Sequence, residues 1–249
     1  MSVIEKGLVY AIIPARSGST SIKDKNIRLI AGHPLISYSI VAAKLTPSIK
    51  RIIVSTDSEK YAGIAKKYGA EVPFLRPADI SGKYSTDYEF MSHAVNWFND
   101  HEKKLPEFWV HLRPTSPLRC PDYIESAINC IKNNDIADCL RSVHKTNNCP
   151  YKWFTITSSG YLSNICGLSL DEANGPRQKY PQVYIPNGYV DIIRTQSLMK
   201  NHNLHGEYGL SFETPELIDI DYDAELDIIN EQVSKFKTES IMVELSKIK

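Results

Sequence analysis

Apolar and polar positions follow two alternating periods along the first 140 residues. Short runs rich in β-branched and aromatic residues predict strands, and apolar residues spaced three or four positions apart predict helices. The predicted strands occupy residues 8–13, 51–56, 71–74, 108–112 and 137–143. The predicted helices occupy residues 34–44, 58–69, 86–99 and 121–132. This alternation predicts an α/β fold, in which helices cover both faces of a mainly parallel sheet.

The alternation stops after Asn147. Residues 147–187 are rich in Pro, Tyr, Asn, Lys and Gly and contain only short extended pieces, which predicts a compact insertion or arm. Arms of this kind often reach a partner subunit. The alternation then returns with strands at 188–194 and 217–221 and helices at 195–201 and from 223 to about 236. We therefore expect one domain over residues 1–249 with an insertion at about 147–187.

The composition narrows the possible function classes. The chain has 249 residues, 42% of them hydrophobic, with 29 basic and 29 acidic side chains. Zero net charge argues against a large basic surface for nucleic acid. No apolar run approaches the 18 residues of a membrane span, and the start does not resemble a signal peptide. The five cysteines contain no CxxC pair, so we expect reduced thiols in a cytoplasmic protein.

Charged and hydroxyl side chains cluster directly after the predicted strands. Ligands of open α/β sheets bind beyond the carboxyl ends of the strands, so these side chains should meet at one edge. Cations together with carboxylates at that edge suggest a polyphosphate and a divalent cation. The residues in question are Arg16, Lys23, Lys25, Asp57, Arg76, Arg113, Thr115, Ser116 and Arg119.

Three segments suggest more specific roles. Backbone N–H groups around Gly18 and the guanidinium of Arg16 could hold phosphate oxygens. Asp219 and Asp221 would project to the same face of a strand, where both could meet one Mg²⁺ ion. The alternative for this pair is an ordinary acidic start to the following helix. The segment LRPTSPLR (112–119) offers hydroxyls for a sugar or nucleotide, or forms only a rigid turn.

Six segments, taken together and in this order, resemble the acylneuraminate cytidylyltransferases, which are also called CMP-sialic acid synthetases. The segments are IIPARSGSTSIKDKN, RIIVSTD, FLRPADI, RPTSPLR, PRQKYPQVYIPNGYVDI and DIDYDAELD. The resemblance implies a Rossmann-like nucleotidyltransferase that transfers CMP from CTP to a sialic-acid-like (nonulosonic) sugar acid for surface polysaccharides. It also implies dependence on Mg²⁺ and a homodimer that exchanges its arms.

The resemblance also implies roles for individual residues. Arg16 and Lys25 would hold the CTP phosphates and serve catalysis, and Asp219 and Asp221 would hold the metal. The residues implied for the nucleotide are Ala15, Arg16, Asn26, Arg76, Ser85, Thr86 and Asp87. Those implied for the sugar acid, some from the neighbouring subunit, are Arg113, Thr115, Ser116, Lys152, Arg177, Asn187 and Asp191.

Three positions depart from the family pattern. Thr20 stands where relatives usually carry a lysine, and we expect Lys23 to supply the missing charge. Arg113 replaces a frequent glutamine, and Ile185 stands where some sialic acid enzymes have arginine. The last two positions bear on sugar recognition and favour a legionaminic or pseudaminic type of acid over N-acetylneuraminate.

Other functions remain open at this point. A synthetase for 3-deoxy-octulosonate, or another sugar nucleotidyltransferase, is the near alternative. A catalytically silent relative that binds a nucleotide or a protein is supported only by the missing lysine. An NAD-binding protein is disfavoured because no GxGxxG follows the first strand.

Overall fold

The computed structural model describes residues 3–19, 21–235 and 240–248. The strands are β1 (Val3–Pro14), β2 (Leu29–Ile30), β3 (His33–Pro34), β4 (Ile49–Ser55), β5 (Lys104–His111), β6 (Cys139–Lys145), β7 (Phe154–Ile156), β8 (Leu162–Asn164), β9 (Tyr184–Arg194) and β10 (Gly209–Glu213). The helices are α1 (Leu35–Lys44), α2 (Glu59–Lys67), α3 (Asp87–His101), α4 (Pro121–Lys132), α5 (Leu170–Ala173), α6 (Thr195–Asn201), α7 (Asp223–Lys235) and α8 (Ser240–Leu245).

Six strands form the central sheet in the order β10-β6-β9-β5-β1-β4. β1 pairs in parallel with β4 and β5, and β10 pairs in parallel with β6. β9 enters between β5 and β6 and runs antiparallel to both. The predicted α/β class with a mainly parallel sheet is therefore confirmed.

Helices cover both faces of the sheet. On one face, side chains of α1, α2, α4, α7 and α8 pack with alternate residues of the strands, such as Val110 and Ile192. On the other face, α3 and α6 pack on the remaining residues, including Trp109 and Ile193. Sequence signals mark several helix ends. Thr86 and Glu89 form the predicted capping box of α3, and Gly69 follows α2 at φ +97°. Within the described residues, no helix is long and apolar enough to cross a bilayer.

The predicted insertion lies between β6 and β9. It contains the hairpin β7–β8 and the short helix α5. Its root is narrow, because Lys145 at the end of β6 pairs with Tyr184 at the start of β9. Residues 184–187, which the sequence assigns to the insertion, therefore belong to the central sheet.

Two predicted strands are wrong. Residues 71–74 make only an isolated bridge between Ile53 and Glu71, since Pro73 has no N–H to continue a ladder. Residues 217–221 form no strand, although the N–H of Ile220 donates to the carbonyl of Thr115 at 2.9 Å. The edge strand of this region is β10, which the sequence analysis missed, as it missed α8.

The loop between β5 and α4, residues 112–120, is held by the side chain of Arg119, which is 2% exposed. Its Nε donates to the carbonyl of Tyr189 at 2.5 Å, and its Nη1 donates to Ser39 Oγ at 2.8 Å. Its Nη2 donates to the carbonyls of Arg113 and Gly188 at 2.6 and 3.0 Å. Burial, aided by the nearby charge of Arg113, lowers the pKa of Arg119 to about 9. The loop, β9 and α1 are thus joined by one buried cation.

Replacing Arg119 with Met should lower the free energy of unfolding by about 2–4 kcal/mol, because it leaves several buried oxygens without a donor. Arg119→Lys should recover part of the loss, since an ammonium can still reach some of these acceptors. Urea unfolding at neutral pH measures both. A Met variant as stable as the wild type would show that Arg119 does not join these elements.

Candidate functional site

A polar cleft of about 330 Å³ lies at the carboxyl ends of β1, β4 and β5. Most of the predicted nucleotide-binding residues line it, together with residues expected at the metal and the sugar. The predicted residues that line it are Arg16, Lys25, Asn26, Arg76, Ser85, Thr86, Asp87, Arg113, Thr115 and Asp221. The structure therefore brings together at one edge residues that are up to 205 positions apart (221 minus 16).

Hydrogen bonds to neighbouring segments fix the loop after β1. Arg16 Nη1 donates to the carbonyl of Gly82 at 2.8 Å, and Asn26 Nδ2 donates to the carbonyl of Arg16 at 3.0 Å. The backbone N–H and the hydroxyl of Ser17 both donate to Asp57 at 2.7 Å. Asp57 thus accepts a hydrogen bond from one of the N–H groups that the sequence suggested for an anion. None of these contacts compensates the positive charge of Arg16.

Thr20, where the family lysine is missing, lies outside the described residues. Lys23 is exposed and lines a separate surface hollow with Asp24 and Arg28 rather than the cleft. That Lys23 replaces the missing charge stays a prediction.

Lys25 connects the loop after β1 to the segment that precedes α7. Its Nζ donates to the carbonyl of Ile220 at 2.8 Å and to Asp221 Oδ1 at 3.1 Å. Asp219 and Asp221 are both exposed, while Ile220 between them is fully buried. The two exposed carboxylates thus flank a buried residue in a segment that is not a strand, and of the two only Asp221 lines the cleft. Ser116 Oγ donates to Asp219 Oδ1 at 3.3 Å.

The two carboxylates suit a hard cation such as Mg²⁺, and Asp221 already attracts the ammonium of Lys25. No group of three or more His, Cys, Asp or Glu side chains is arranged around a metal position within the described ranges. A metal at Asp219 and Asp221 would need further oxygen ligands from water or substrate.

Arg76 forms a buried positive charge at the floor of the cleft, with 5% exposure. Its Nε donates to Ser55 Oγ at 3.0 Å and its Nη2 to the carbonyl of Ser55 at 2.7 Å, both neutral acceptors. Its guanidinium lies 4.8 Å from the ring centre of Phe90. Burial lowers the pKa of Arg76 to about 10, which leaves it protonated at neutral pH. A buried cation paired with neutral oxygens favours an anionic ligand.

Arg113 connects the cleft to the centre of the sheet. Its Nη2 donates to Asp87 Oδ2 at 2.7 Å, and its Nη1 donates to Asp191 Oδ2 at 2.8 Å. Asp87 lines the cleft, whereas Asp191 on β9 is 1% exposed and contacts Arg113 instead of open solvent. The structure thus places the predicted sugar residue Asp191 beneath the site.

His111, at the end of β5, lies next to Asp191 in the sheet and is fully buried. Burial lowers its pKa to about 3, and the charge of Arg113 adds to this effect. Neither ring nitrogen has a hydrogen-bond partner among the described residues. His111 is therefore neutral at working pH.

The other predicted sugar residues lie away from the cleft. Arg177 donates to the carbonyl of Thr146 and to Asn147 Oδ1, both at 3.0 Å, at the base of the insertion. Lys152 lies in a short 3₁₀ helix of the insertion. Asn187 donates to Thr214 Oγ1 at 2.8 Å. Ala15 is buried directly behind the cleft.

The sequence analysis did not single out some residues in or next to the cleft. Phe90 lines the cleft, and Gly82 carries no side-chain signal, since its carbonyl makes the contact with Arg16. His111 could have been noticed as the last residue of the FWVH strand, because strand ends form the ligand edge of this fold class.

Comparison with known proteins identifies the family. The model of the family described as Cytidylyltransferase matches residues 10–161. The chain belongs to this family. The chain is 31% identical over 219 residues to an N-acylneuraminate cytidylyltransferase of Escherichia coli, a match that covers 88% of this chain and 50% of that protein. It is 32% identical over 220 residues to a CMP-N,N'-diacetyllegionaminic acid synthase of Campylobacter jejuni, covering 88% and 91%.

The relatives differ in length. The chain spans about half the length of the E. coli protein. It is also 40% identical over 127 residues to a CMP-N,N'-diacetyllegionaminic acid synthase of Legionella pneumophila, a match that covers 50% of this chain and 53% of that protein. A solved structure of CMP:2-keto-3-deoxy-manno-octonic acid synthetase in complex with CTP superposes with a TM-score of 0.68 at 14% identity, covering 91% of this chain and 98% of that one. At this identity the likeness shows the shared Rossmann-like fold.

The neutral buried state of His111 gives a prediction for acid stability. The unfolded chain takes up a proton on this histidine near pH 6.5, whereas the folded chain does so only near pH 3. Stability from His111 is therefore present above pH 6.5 and is lost as pH falls. In His111→Gln, the slope of unfolding free energy against pH between 5.5 and 4 should be shallower by about 1.4 kcal/mol per pH unit. Urea unfolding at several pH values measures it, and equal slopes would contradict the assignment.

Proposed function

We propose that this cytidylyltransferase transfers CMP from CTP to a nonulosonic sugar acid and releases pyrophosphate. The observation that carries the proposal is the single cleft in which Arg16, Lys25 and Arg76 face the carboxylate of Asp221. Three cations and a metal-type carboxylate at the carboxyl edge of the sheet suit a nucleoside triphosphate. The names of the relatives from E. coli and C. jejuni supply the substrate class.

In the proposed reaction, the anomeric hydroxyl oxygen of the sugar acid bonds to the α-phosphorus of CTP. The bond from that phosphorus to the bridging oxygen of pyrophosphate breaks, and the hydroxyl proton passes to solvent. Negative charge collects on the phosphoryl and leaving oxygens, where the fixed cations of Arg16 and Lys25 stabilise it. Holding the two substrates in line supplies much of the remaining rate enhancement.

Asp219 and Asp221 would hold a Mg²⁺ ion, which supplies Lewis-acid charge to phosphate oxygens when bound. Their support is chemical: both are exposed carboxylates, and they flank the buried Ile220. For the ion to bind, Lys25 would give up its contact with Asp221. The freed ammonium would then be available to the phosphates.

Within nonulosonic acids, we propose a legionaminic type. Arg113 departs from the sialic acid pattern, and Asp191 fits the broader group of nonulosonic acid enzymes. The two side chains are hydrogen-bonded to each other in this structure. Relatives named CMP-N,N'-diacetyllegionaminic acid synthase support this choice. A 3-deoxy-octulosonate substrate is the second candidate, and the structural likeness to a CMP:2-keto-3-deoxy-manno-octonic acid synthetase favours it only at the level of fold.

We also propose that the insertion forms a homodimer by contacting a second copy. It carries an unusual concentration of exposed large apolar side chains, which monomeric proteins rarely leave uncovered. These are Trp153, Ile156, Tyr161, Leu162, Ile165 and Leu170. In such a dimer Lys152 and Arg177 would lie near the partner's surface, as expected for sugar-acid residues supplied by an exchanged arm.

The activity is tested by pyrophosphate release from CTP and Mg²⁺ with legionaminic, pseudaminic, N-acetylneuraminic and 3-deoxy-octulosonic acids. Arg16→Ala should lower kcat/KM by about 2–4 kcal/mol of transition-state stabilisation, as for loss of one fixed charge donor. Arg28→Ala, an exposed arginine outside the cleft, is the matched control and should behave as wild type. No release with any nine-carbon acid would refute the proposed function.

Dimerisation is tested by gel filtration with light scattering. We expect a mass about twice the 28.2 kDa of the chain. Ile156→Asp should give a monomer, because it places a charge in the apolar surface of the insertion. Ile136 is equally exposed, at 74%, but lies outside the insertion, so Ile136→Asp should remain dimeric. A monomeric wild type would contradict the proposal.

A further inference from the structure

Three side chains form a continuous charge chain from the interior of the sheet to the wall of the cleft: Asp191, Arg113 and Asp87. Each of the two terminal nitrogens of Arg113 is hydrogen-bonded to one carboxylate, at 2.8 Å to Asp191 and 2.7 Å to Asp87. With one cation between two carboxylates, Arg113 has no excess positive charge. It is therefore a poor receptor for a ligand carboxylate.

Asp191 is the fixed end of the charge chain. It lies on β9 in the middle of the sheet, directly opposite His111 and Arg141 on the two neighbouring strands. His111 is neutral, and the Nε of Arg141 stays 3.7 Å away, so Arg113 is the hydrogen-bonded cation for this carboxylate. Gly188 lies beside the guanidinium at φ +63°, a left-handed backbone conformation that favours glycine.

Asp87 is the exposed end. It begins α3, lines the cleft with Arg76 and Phe90, and its side chain is 38% exposed. Burial raises its pKa, but His111 and Arg113 lower it by a larger amount. His111 is neutral above about pH 3, so at working pH the charge of Arg113 is what keeps the pKa of Asp87 low. Asp87 is therefore ionised at working pH. Only its Oδ2 is used; Oδ1 accepts no hydrogen bond from the residues described.

We propose that Arg113 and Asp191 are positioning residues that hold Asp87, and that the free Oδ1 of Asp87 accepts a hydrogen bond from a hydroxyl group of a bound substrate. This inference rests on the proposed function. It gives Asp87 the role of selecting hydroxylated ligands in a cleft whose other charges attract phosphate.

The chemistry of the substrates supports a hydroxyl group. An ionised carboxylate oxygen can only accept hydrogen bonds, and O–H donors form short, strong bonds to it. CTP offers such donors on its ribose, and the sugar acid offers them along its carbon chain. Phosphate groups and the sugar carboxylate would be repelled from Asp87, which orients both substrates with their anionic parts toward Arg16, Lys25 and Arg76.

Titration calorimetry with CTP, 2'-deoxy-CTP and 3'-deoxy-CTP, without sugar acid, tests the ribose as the source. If the ribose provides the hydroxyl, the wild type binds CTP about tenfold or more tightly than one deoxy analogue. Asp87→Ala should then bind both alike. A loss of stability alone would not change this ratio. If the sugar acid provides the hydroxyl, Asp87→Ala instead raises the KM for the acid about tenfold and leaves the nucleotide ratio unchanged.

The positioning role needs separate variants. Asp191→Asn and the double variant Arg113→Gln with Asp191→Asn, which removes both charges together, should shift the same ratio or KM in the same direction as Asp87→Ala. Asp122→Ala, which removes an exposed acid from the first turn of α4, is the matched control and should shift neither.

Three results would overturn the inference. Folded Asp87→Ala with both the nucleotide ratio and the KM of wild type would show that Asp87 accepts no substrate hydroxyl. Unchanged values in folded Asp191→Asn and in the double variant would remove the positioning role. A wild type that binds CTP, shows no preference over either deoxy analogue and releases no pyrophosphate would reject both this inference and the proposed function. If the wild type releases pyrophosphate but Asp87→Ala keeps the wild-type nucleotide ratio and KM, only the inference is rejected.

Discussion

The buried guanidinium of Arg119 fixes the geometry on which the rest of the site depends. It donates all its hydrogen bonds to neutral oxygens, on the 112–120 loop, on β9 and on α1. The same loop carries Arg113, and the carbonyl of Thr115 in it accepts the N–H of Ile220. Arg119 therefore sets the position of the Asp219–Asp221 segment as well, although it touches neither carboxylate by a hydrogen bond. The hydrogen bonds of Arg119 therefore fix the position of one wall of the cleft.

Two cations of the cleft, Arg16 and Arg76, share one feature. Arg16 binds the carbonyl of Gly82, and Arg76 binds the hydroxyl and carbonyl of Ser55. A neutral oxygen fixes the direction of a cation without cancelling its charge, so both positions keep their attraction for an anion. Lys25 differs, because it binds the carbonyl of Ile220 and also the carboxylate of Asp221. Two further carboxylates act at other positions. Asp57 holds the backbone of Ser17, and Asp191 compensates Arg113. The site is thus preorganised for negative charge at one end and neutralised at the other.

Sequence periodicity was enough to predict the α/β class and the strand edge that carries the cleft, with residues such as Arg16, Lys25 and Arg76. Other cleft residues, among them Asn26 and Asp87, were implied only by the family resemblance. It worked because apolar strands such as residues 8–13 and helix signals such as Thr86 with Glu89 are local. It was wrong for residues 71–74 and 217–221, where apolar residues are buried by loops rather than by a ladder.

The antiparallel course of β9 and the pairing of Arg113 with Asp191 could not be predicted from sequence periodicity, since both depend on contacts between residues far apart in the chain, 78 positions in the case of Arg113 and Asp191. The same limit applies to the carbonyl partners of the cations, because a backbone oxygen leaves no trace in the sequence.

The position of β9 links the insertion to the site. Its first residue, Tyr184, closes the root of the insertion against Lys145, and its later residues Gly188 and Asp191 lie at Arg113. A sheet strand is stiff along its length, so a force or contact on the insertion acts on the same element that holds the charge chain. Because β9 is hydrogen-bonded on both sides, it cannot shift without disturbing β5, which ends at His111 and leads into the cleft wall. The insertion and the charge chain that ends at Asp87 are for this reason connected by one strand, even though their residues are far apart in the chain.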